Sequence, residues 1–117
     1  MTISEIATVL AWHDALNASD IDTLVALSSD DIDVGDAHGA GQGHDALRKW
    51  AAAGPQTAEL GRMFVHHGIV VVELKITDTT AAAAFRVVHD HVTSVFRHDD
   101  LASALAATDL TEADLVD

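Results

Sequence analysis

Residues 15–36 have the sequence ALNASDIDTLVALSSDDIDVGD, which combines the end of one helix, a second helix and a strand. Ser19 and Asp22 have the spacing of a helix-capping box, and apolar residues at helical spacing follow them. In the strand, apolar residues alternate with acidic residues and glycine, as expected for a strand with one solvated face. The stretch therefore predicts a helix–helix–strand unit that ends at Asp36.

The other elements follow from periodicity and turn residues. A first helix is predicted over residues 4–17 and a third over 45–53, before a Gly-Pro stop. The glycine-rich HGAGQG (38–43) predicts a bend with room for a short strand. Four strands in a meander and a small helix are predicted over residues 56–65, 69–77, 80–88, 92–98 and 100–107. Helices and strands are segregated, which predicts an α+β fold with helices on one face of a mostly antiparallel sheet.

Composition excludes several classes of function. The chain is predicted to be one domain, residues 1–117, of net charge −13, with an acidic tail over 108–117 that is either loose or a marginal helix. Such a surface repels phosphate and anionic lipid, so no nucleic-acid or membrane partner is expected. Without cysteine there is no disulfide or thiolate chemistry. The N-terminus lacks a signal-peptide pattern, which predicts a cytoplasmic protein. No GxGxxG spacing is present, and no cofactor is expected.

Three stretches in this order resemble the nuclear-transport-factor-2-like superfamily: residues 15–36, GHDALRKW (43–50) and FRVVHDHVTSVFRHDDLASAL (85–105). Its members include ketosteroid isomerases, limonene epoxide hydrolases and SnoaL-like polyketide cyclases. The resemblance covers nearly the whole chain. It implies a cystatin-like α+β barrel, a cone-shaped curved sheet wrapped by three helices, with a pocket at its open end. It also implies a hydrophobic small molecule as ligand and a homodimer formed through the outer sheet face.

The resemblance to the isomerases implies a catalytic role for Asp36, which stands where they place their base. Burial in an apolar pocket would raise its pKa toward useful basicity. Trp12 and Ala83 stand where the isomerases place the two donors of their oxyanion hole, and the chain has no tyrosine. Steroid isomerisation is therefore not expected. The alternative is that Asp36 has no catalytic role and is one of the many aspartates of this chain, placed at the end of a strand.

Arg97 is the predicted anion-binding residue. It alternates with Asp99 and with Val95, a further predicted substrate-binding residue, on the last strand, and the resemblance implies that this face lines the pocket. A guanidinium there could hold a carboxylate or enolate. The alternative is an ion pair with an acid such as Glu73 or Asp99. The Asp–Arg–Asp relay of the epoxide hydrolases is not matched, because Glu73 and Lys75 occupy its middle strand.

Trp12, Trp50 and Phe85 are the predicted walls of an apolar, ring-sized pocket. Their alternative role is ordinary core filling. His98 and Asp99 are second-tier site residues, because the cyclases use an aspartate and often a histidine.

Glu73 is also a second-tier candidate, because it interrupts the apolar run IVVVELKI (69–76). In a strand buried on both faces it would need Arg62, Arg86 or Arg97 as a partner. The period-two pattern favours the alternative, in which Glu73 and Lys75 face outward.

Two turns rich in histidine, at residues 66–67 and 89–91, are predicted to lie at the same end of the sheet, roughly 10 Å apart. Imidazole binds zinc, copper and nickel. However, no HExxH or comparable spacing is present, so solvated turns and no metal site are predicted.

The sequence thus predicts a SnoaL-like domain that binds a small molecule. If it is an enzyme, the expected reaction is of isomerase, cyclase or hydratase type, with Asp36 as base and Arg97 as anion holder. The alternative is a non-catalytic ligand-binding or dimerisation module of the same fold. An interaction protein that uses its acidic surface has no specific sequence support.

Overall fold

The structure, a computed structural model, describes residues 2–36, 39–52, 59–76 and 79–116. These residues form helices α1 (Thr2–Asn17), α2 (Ile21–Ala26), α3 (His44–Ala52) and α4 (Leu101–Thr108), a 3₁₀ helix (Glu112–Asp114), and strands β1 (Ser28–Asp36), β2 (Gly39–Gln42), β3 (Glu59–His66), β4 (Ile69–Ile76), β5 (Thr79–Val88) and β6 (His91–His98). Within these ranges no helix is long and apolar enough to cross a membrane.

The strands form one sheet in the order β2-β1-β6-β5-β4-β3. The pairing is antiparallel except between β1 and β6, which run parallel. The meander is therefore confirmed, and the glycine-rich segment supplies the short strand β2. The predicted Gly-Pro helix stop, and the start of the first meander strand predicted over residues 56–65, fall in residues 53–58, outside the described part.

Helices α1, α2 and α3 contribute to one core with the face of the sheet that we call the inner face. Alternation decides which strand residues reach this core. Val70, Val72 and Leu74 of β4 face inward, as do Ala83 and Phe85 of β5. The predicted α+β fold, a curved sheet with three helices wrapped against it, is confirmed.

An extra residue in β6 bends the sheet next to the core. Arg86 pairs with Ser94 while the next residue of β5 pairs with Val92, so Thr93 has no place in the ladder. Because of this bulge, Val92 and Val95 both point into the core although they are three positions apart. Bulges increase local twist and curvature, and the inner face becomes concave.

Helix α4 lies on the opposite, outer face, where the sequence pattern had placed no helix. Ala104 of α4 and Leu110 pack with Phe64, Val71 and Ala82 of the sheet. The run Ile69–Val72 is continuously apolar because both of its faces are covered. The one-face arrangement of the helices therefore holds for α1 to α3 and not for α4.

The C-terminal segment, predicted to be loose, contacts the edge strand β3. Leu115 forms a β-bridge with Phe64, and the amide of Val116 donates to the carbonyl of Met63 at 2.8 Å. Thr111 and Asp114 form a reciprocal capping box. Leu115 packs on the outer-face cluster and draws the acidic segment onto the sheet.

The cap of α2 differs from the predicted Ser19–Asp22 pair. Asp20 is the N-cap, and its carboxylate accepts hydrogen bonds from the amide and hydroxyl of Thr23 at 3.3 and 2.7 Å. Ser19 has φ 57°, in the left-handed region that ends the preceding turn. The capping chemistry is as predicted, one position further along.

Candidate functional site

Three aromatic side chains from three elements meet on the inner face. Trp12 of α1 lies 6.0 Å from Trp50 of α3 and 5.3 Å from Phe85 of β5, measured between ring centroids. The Trp12–Phe85 pair is edge-to-face, a favoured aromatic geometry. The structure therefore brings the three predicted wall residues together.

Trp12 is also part of the hydrophobic core. Its indole Nε1–H donates to Ser28 Oγ at 2.9 Å, and that hydroxyl donates to the carbonyl of Leu24 at 2.8 Å. Trp12, Phe85 and Val95 are at most 1% exposed. The indole N–H is committed to Ser28, so Trp12 does not present a donor to a ligand.

Arg97 lies on the inner face of β6, where it pairs in register with Ala83. Its guanidinium carbon is 5.5 Å from the centroid of the Trp50 ring, within cation–π range. Arg97 therefore joins the aromatic group that contains Trp12 and Phe85.

Asp36 is the last residue of β1, and its backbone pairs with Gly39. Its side chain lies outside the described part of the structure. The neighbouring ladder with β6 is described, and it pairs Val34 with Val95 and Gly35 with Phe96.

Glu73 lies away from this group. It pairs with Ala82 on the outer face, and Arg62 Nε donates to its carboxylate at 3.3 Å. The hydrogen bonds from Arg62 lower the pKa of Glu73. Glu73 thus faces outward, as the alternation indicated, and Arg62 is one of the three partners considered.

His98 and Asp99 border a groove of about 650 Å³ on the outer face, between α4 and the strands β5 and β6. Its lining is mixed, with apolar and polar side chains that include Ala84, Arg86, Ser94, Phe96, Ser103 and Thr108. Phe85 and Arg97, which belong to the aromatic group, also contribute to the lining of this groove.

His13 was absent from the predicted site. It follows Trp12 on α1, is 2% exposed, and neither ring nitrogen has a hydrogen-bond partner in the described structure. Burial and then the positive charge of Arg97 lower its pKa, against a weaker opposing effect of Asp14. The sequence feature that could have identified His13 is its position on the apolar face of the first helix, because burial of a polar side chain is costly unless it has a partner.

The histidine turns lie at one end of the sheet. The His66 and His67 rings are 4.0 Å apart, and His66 Nδ1 is 3.3 Å from a carboxylate oxygen of Asp114. In the described ranges no three His, Asp or Glu side chains are grouped so that they could hold a metal ion.

The SnoaL-like domain family matches residues 9–102. The chain belongs to this family. Its fold is that of the nuclear-transport-factor-2-like proteins, which the similar solved structures below include. No curated protein matches the chain.

Three solved structures illustrate the shared fold. A candidate polyketide cyclase from Sinorhizobium meliloti has 20% identity and TM-score 0.71, over 79% of this chain and 94% of that one. An NTF2-like protein of unknown function from Cytophaga hutchinsonii has 14% identity and TM-score 0.71, over 85% and 92%. A candidate ketosteroid isomerase from Kribbella flavida has 18% identity and TM-score 0.63, over 80% and 76%. At these identities the likeness establishes the fold.

Proposed function

We propose that this SnoaL-like domain binds a hydrophobic, ring-sized small molecule on its inner face, with Asp36 as a general base and Arg97 as the anion-binding residue. The aromatic group supplies the apolar surface, and Arg97 supplies a cation beside it. Apolar surroundings with few polar groups are typical of sites for small ligands.

The observation that carries this proposal is the strand register. The parallel ladder pairs Val34 with Val95 and Gly35 with Phe96. If this register continued one step further along both strands, Asp36 would be at the level of Arg97. A base and a cation at one level are the two groups that proton abstraction beside a carbonyl requires, because the carboxylate takes the proton while the cation stabilises the developing oxyanion.

The reaction class is proton transfer at carbon. The Asp36 carboxylate takes a proton from the carbon next to a carbonyl, the C–H electron pair becomes the enolate, and the negative charge falls on oxygen near Arg97. Return of the proton to the same or another carbon restores the carboxylate. No cofactor enters this balance. A β-dicarbonyl or cyclic ketone is the matching substrate class.

A non-catalytic module is the second candidate. It is favoured by the complete burial of Trp12, Phe85 and Val95, which fill the core where they meet. The hydrogen bond from the Trp12 N–H to Ser28 also favours a structural role for Trp12. In this reading the aromatic group stabilises the fold.

Deuterium exchange into a cyclic ketone tests the catalytic proposal. 2-Tetralone in D₂O would be incubated with the protein and followed by NMR at its C1 protons. We expect exchange at least about 100-fold above the buffer rate, the usual contribution of a general base. Asp36→Asn should return the rate to that of buffer.

Asp33→Asn is the matched control, because Asp33 lies on the same strand and is exposed. It should retain the wild-type rate. Exchange at the buffer rate in the wild type would contradict catalysis on this substrate class. Binding of 2-tetralone without exchange would support the second candidate.

We also propose a homodimer formed through the uncovered part of the outer face. Phe96 and Val88 are 37% and 45% exposed, and they project from β6 and β5 on that face. Large exposed apolar side chains on one face are typical of an association surface. Helix α4 covers the neighbouring strands, so a second copy would dock beside it.

A further inference from the structure

The groove between α4 and the strands β5 and β6, which we call the outer groove, is a cavity that the proposed function does not use. Small side chains border it on both sides, with Ala84 and Ser94 on the sheet and Ser103 and Ala107 at the helix. Its volume of about 650 Å³ lies within the range of small-ligand sites, roughly 300–1,000 Å³. The outer groove is therefore large enough for a ligand of its own.

Phe96 forms one border of the outer groove, and its ring lies over Gly35 of the neighbouring strand. A Cβ atom at Gly35 would be 2.7 Å from the Phe96 ring and 3.1 Å from Ala40, so glycine leaves the room that this ring position requires. Strand β1 is on the side of β6 away from β5. The ring thus leans toward β1, which leaves the groove open beside Ala84.

Arg86 brings a positive charge to the outer groove. Its partners across the sheet are Ile69 and Ser94, which also line the groove. Arg48 and Arg62 each form an ion pair with an acid. In the described part of the chain no such partner of the Arg86 guanidinium is found, although the chain has 19 acidic and 6 basic residues. The guanidinium is therefore available to an anion from outside the chain.

Ser94 places a hydroxyl next to this charge. It is half-buried and pairs directly with Arg86, so the Cβ atoms of the two residues are roughly 5 Å apart. Its hydroxyl makes no hydrogen bond to another described residue. A guanidinium presents donors in a planar fork that matches a carboxylate, and a neighbouring hydroxyl adds a further donor. The two side chains together are suited to a carboxylate.

The acids at the outer groove limit the charge of a ligand. Asp99 and Asp109 also line it, and both are exposed and hydrated. Together with a net charge of −13, they repel a dianion such as a phosphate monoester more strongly than a monoanion. The apolar part of the lining provides a place for hydrocarbon. This combination favours a singly charged acid with an apolar body.

We propose that the outer groove binds a small monocarboxylate with a short apolar body, and that Arg86 and Ser94 hold its carboxylate. The guanidinium and the hydroxyl donate to the carboxylate oxygens, and the apolar body lies between Phe96 and α4. This inference goes beyond the proposed function, because none of these binding groups is assigned to the inner-face site.

Two probes of the same shape test the requirement for charge. 3-Phenylpropanoate carries a carboxylate, and 3-phenylpropanamide carries a neutral amide in its place. In a ¹H–¹⁵N NMR titration, 3-phenylpropanoate should move the Arg86 Nε–H signal and the backbone amide signals of Ser94 and Ala107. The indole signals of Trp12 and Trp50, at the inner face, should stay in place. We expect the neutral probe to bind about tenfold more weakly.

Replacement of the guanidinium tests its role directly. Arg86→Gln should weaken 3-phenylpropanoate binding by about tenfold, the usual size for a hydrogen bond to a charged group, and should change 3-phenylpropanamide binding by less than about twofold. Arg48→Gln is the matched control, because it removes the same charge from an exposed position on α3. It should retain the wild-type affinity.

Two neighbouring alanines of α4 provide a second matched pair. Ala106 and Ala107 are both exposed, so neither substitution disturbs the core, and of the two Ala107 lines the outer groove. Ala107→Glu should weaken 3-phenylpropanoate binding by about threefold, the effect of a like charge at roughly 7 Å in water. Ala106→Glu should have a smaller effect.

The possible outcomes separate this inference from the proposed function. Equal binding of the two probes, or equal losses in Arg86→Gln and Arg48→Gln, would overturn the carboxylate site. So would tighter binding of the cationic 3-phenylpropylamine, or no binding of 3-phenylpropanoate. If 3-phenylpropanoate moves only the indole signals of Trp12 and Trp50, it binds at the inner face, and this inference fails while the proposed function stands.

Discussion

At the residue scale, the most informative side chains are those whose polar atoms are buried in the core. The indole of Trp12 is paired with Ser28, while the imidazole of His13 is unpaired among the described residues. Sequence periodicity places both on α1, but it cannot determine where a side-chain N–H points. That direction depends on the position of Ser28, which is 16 residues away and begins the next strand.

Adjacent serines offer a test of the Trp12 contact. Ser28→Ala leaves the buried indole N–H without its acceptor and should lower the free energy of unfolding by about 1–3 kcal/mol. Ser29→Ala removes a buried hydroxyl that has no partner in the described structure, and should be close to neutral. Urea unfolding of the two variants provides the comparison. Equal losses of unfolding free energy in both variants would show that the Trp12–Ser28 hydrogen bond does not contribute measurably to stability.

The lowered pKa of His13 predicts how the free energy of unfolding depends on pH. Its pKa in the folded protein lies below the ordinary value of 6.5, so the unfolded chain binds a proton more readily. Stability should therefore fall as the pH drops below about 6.5. His13→Leu should flatten the dependence between pH 7.5 and 5.5, and His91→Leu at an exposed turn should not. Urea midpoints across this range are the measurement, and identical slopes in all three proteins would contradict it.

At the scale of elements, the sequence predicts most segments because their signals are local. Turns with positive φ occur at His67–Gly68 and His89–Asp90, as the turn residues indicated. The side of the sheet that receives α4 was not predictable. A short amphipathic helix can cover either face, and the choice depends on how much apolar surface β4 and β5 leave on the outer side.

The cap of α2 gives a prediction at this scale. Asp20→Ala removes the acceptor for the Thr23 amide and hydroxyl, and a lost cap typically costs about 1 kcal/mol. Asp22→Ala, in the first turn of the same helix, should have a much smaller effect. Urea unfolding distinguishes the two. A larger loss for Asp22→Ala would restore the Ser19–Asp22 assignment.

At the scale of the whole molecule, the superfamily resemblance predicts the fold correctly, while the roles of the candidate site residues stay predictions. Trp12, Trp50, Phe85 and Arg97 come together as expected, because the order of elements brings their strands and helices to one face. Glu73 faces outward, as the alternation of its strand indicated, and His98 and Asp99 border the groove on the outer face. An error of one residue in register moves a side chain to the opposite face.

The proposed dimer is a prediction of the assembled molecule. Phe96→Glu places a charge on the uncovered outer face and should convert a dimer into a monomer. Leu10→Glu is the matched control, since Leu10 on α1 is 39% exposed and Phe96 is 37%. Light scattering coupled to size-exclusion chromatography measures the mass. A wild-type monomer, or a Phe96→Glu dimer, would contradict the proposed interface.

The parallel pairing of β1 with β6 has a consequence for how the chain reaches this state. Val34 and Val95 are partners although about 60 residues separate them. Closing so long a loop is entropically costly, and such distant contacts slow folding toward the millisecond-to-second range. On the ribosome, β1 has to wait until β6 has emerged before this partner exists. Until then the edge of β1 that pairs with β6 is open, and an unpaired strand edge can associate with other chains.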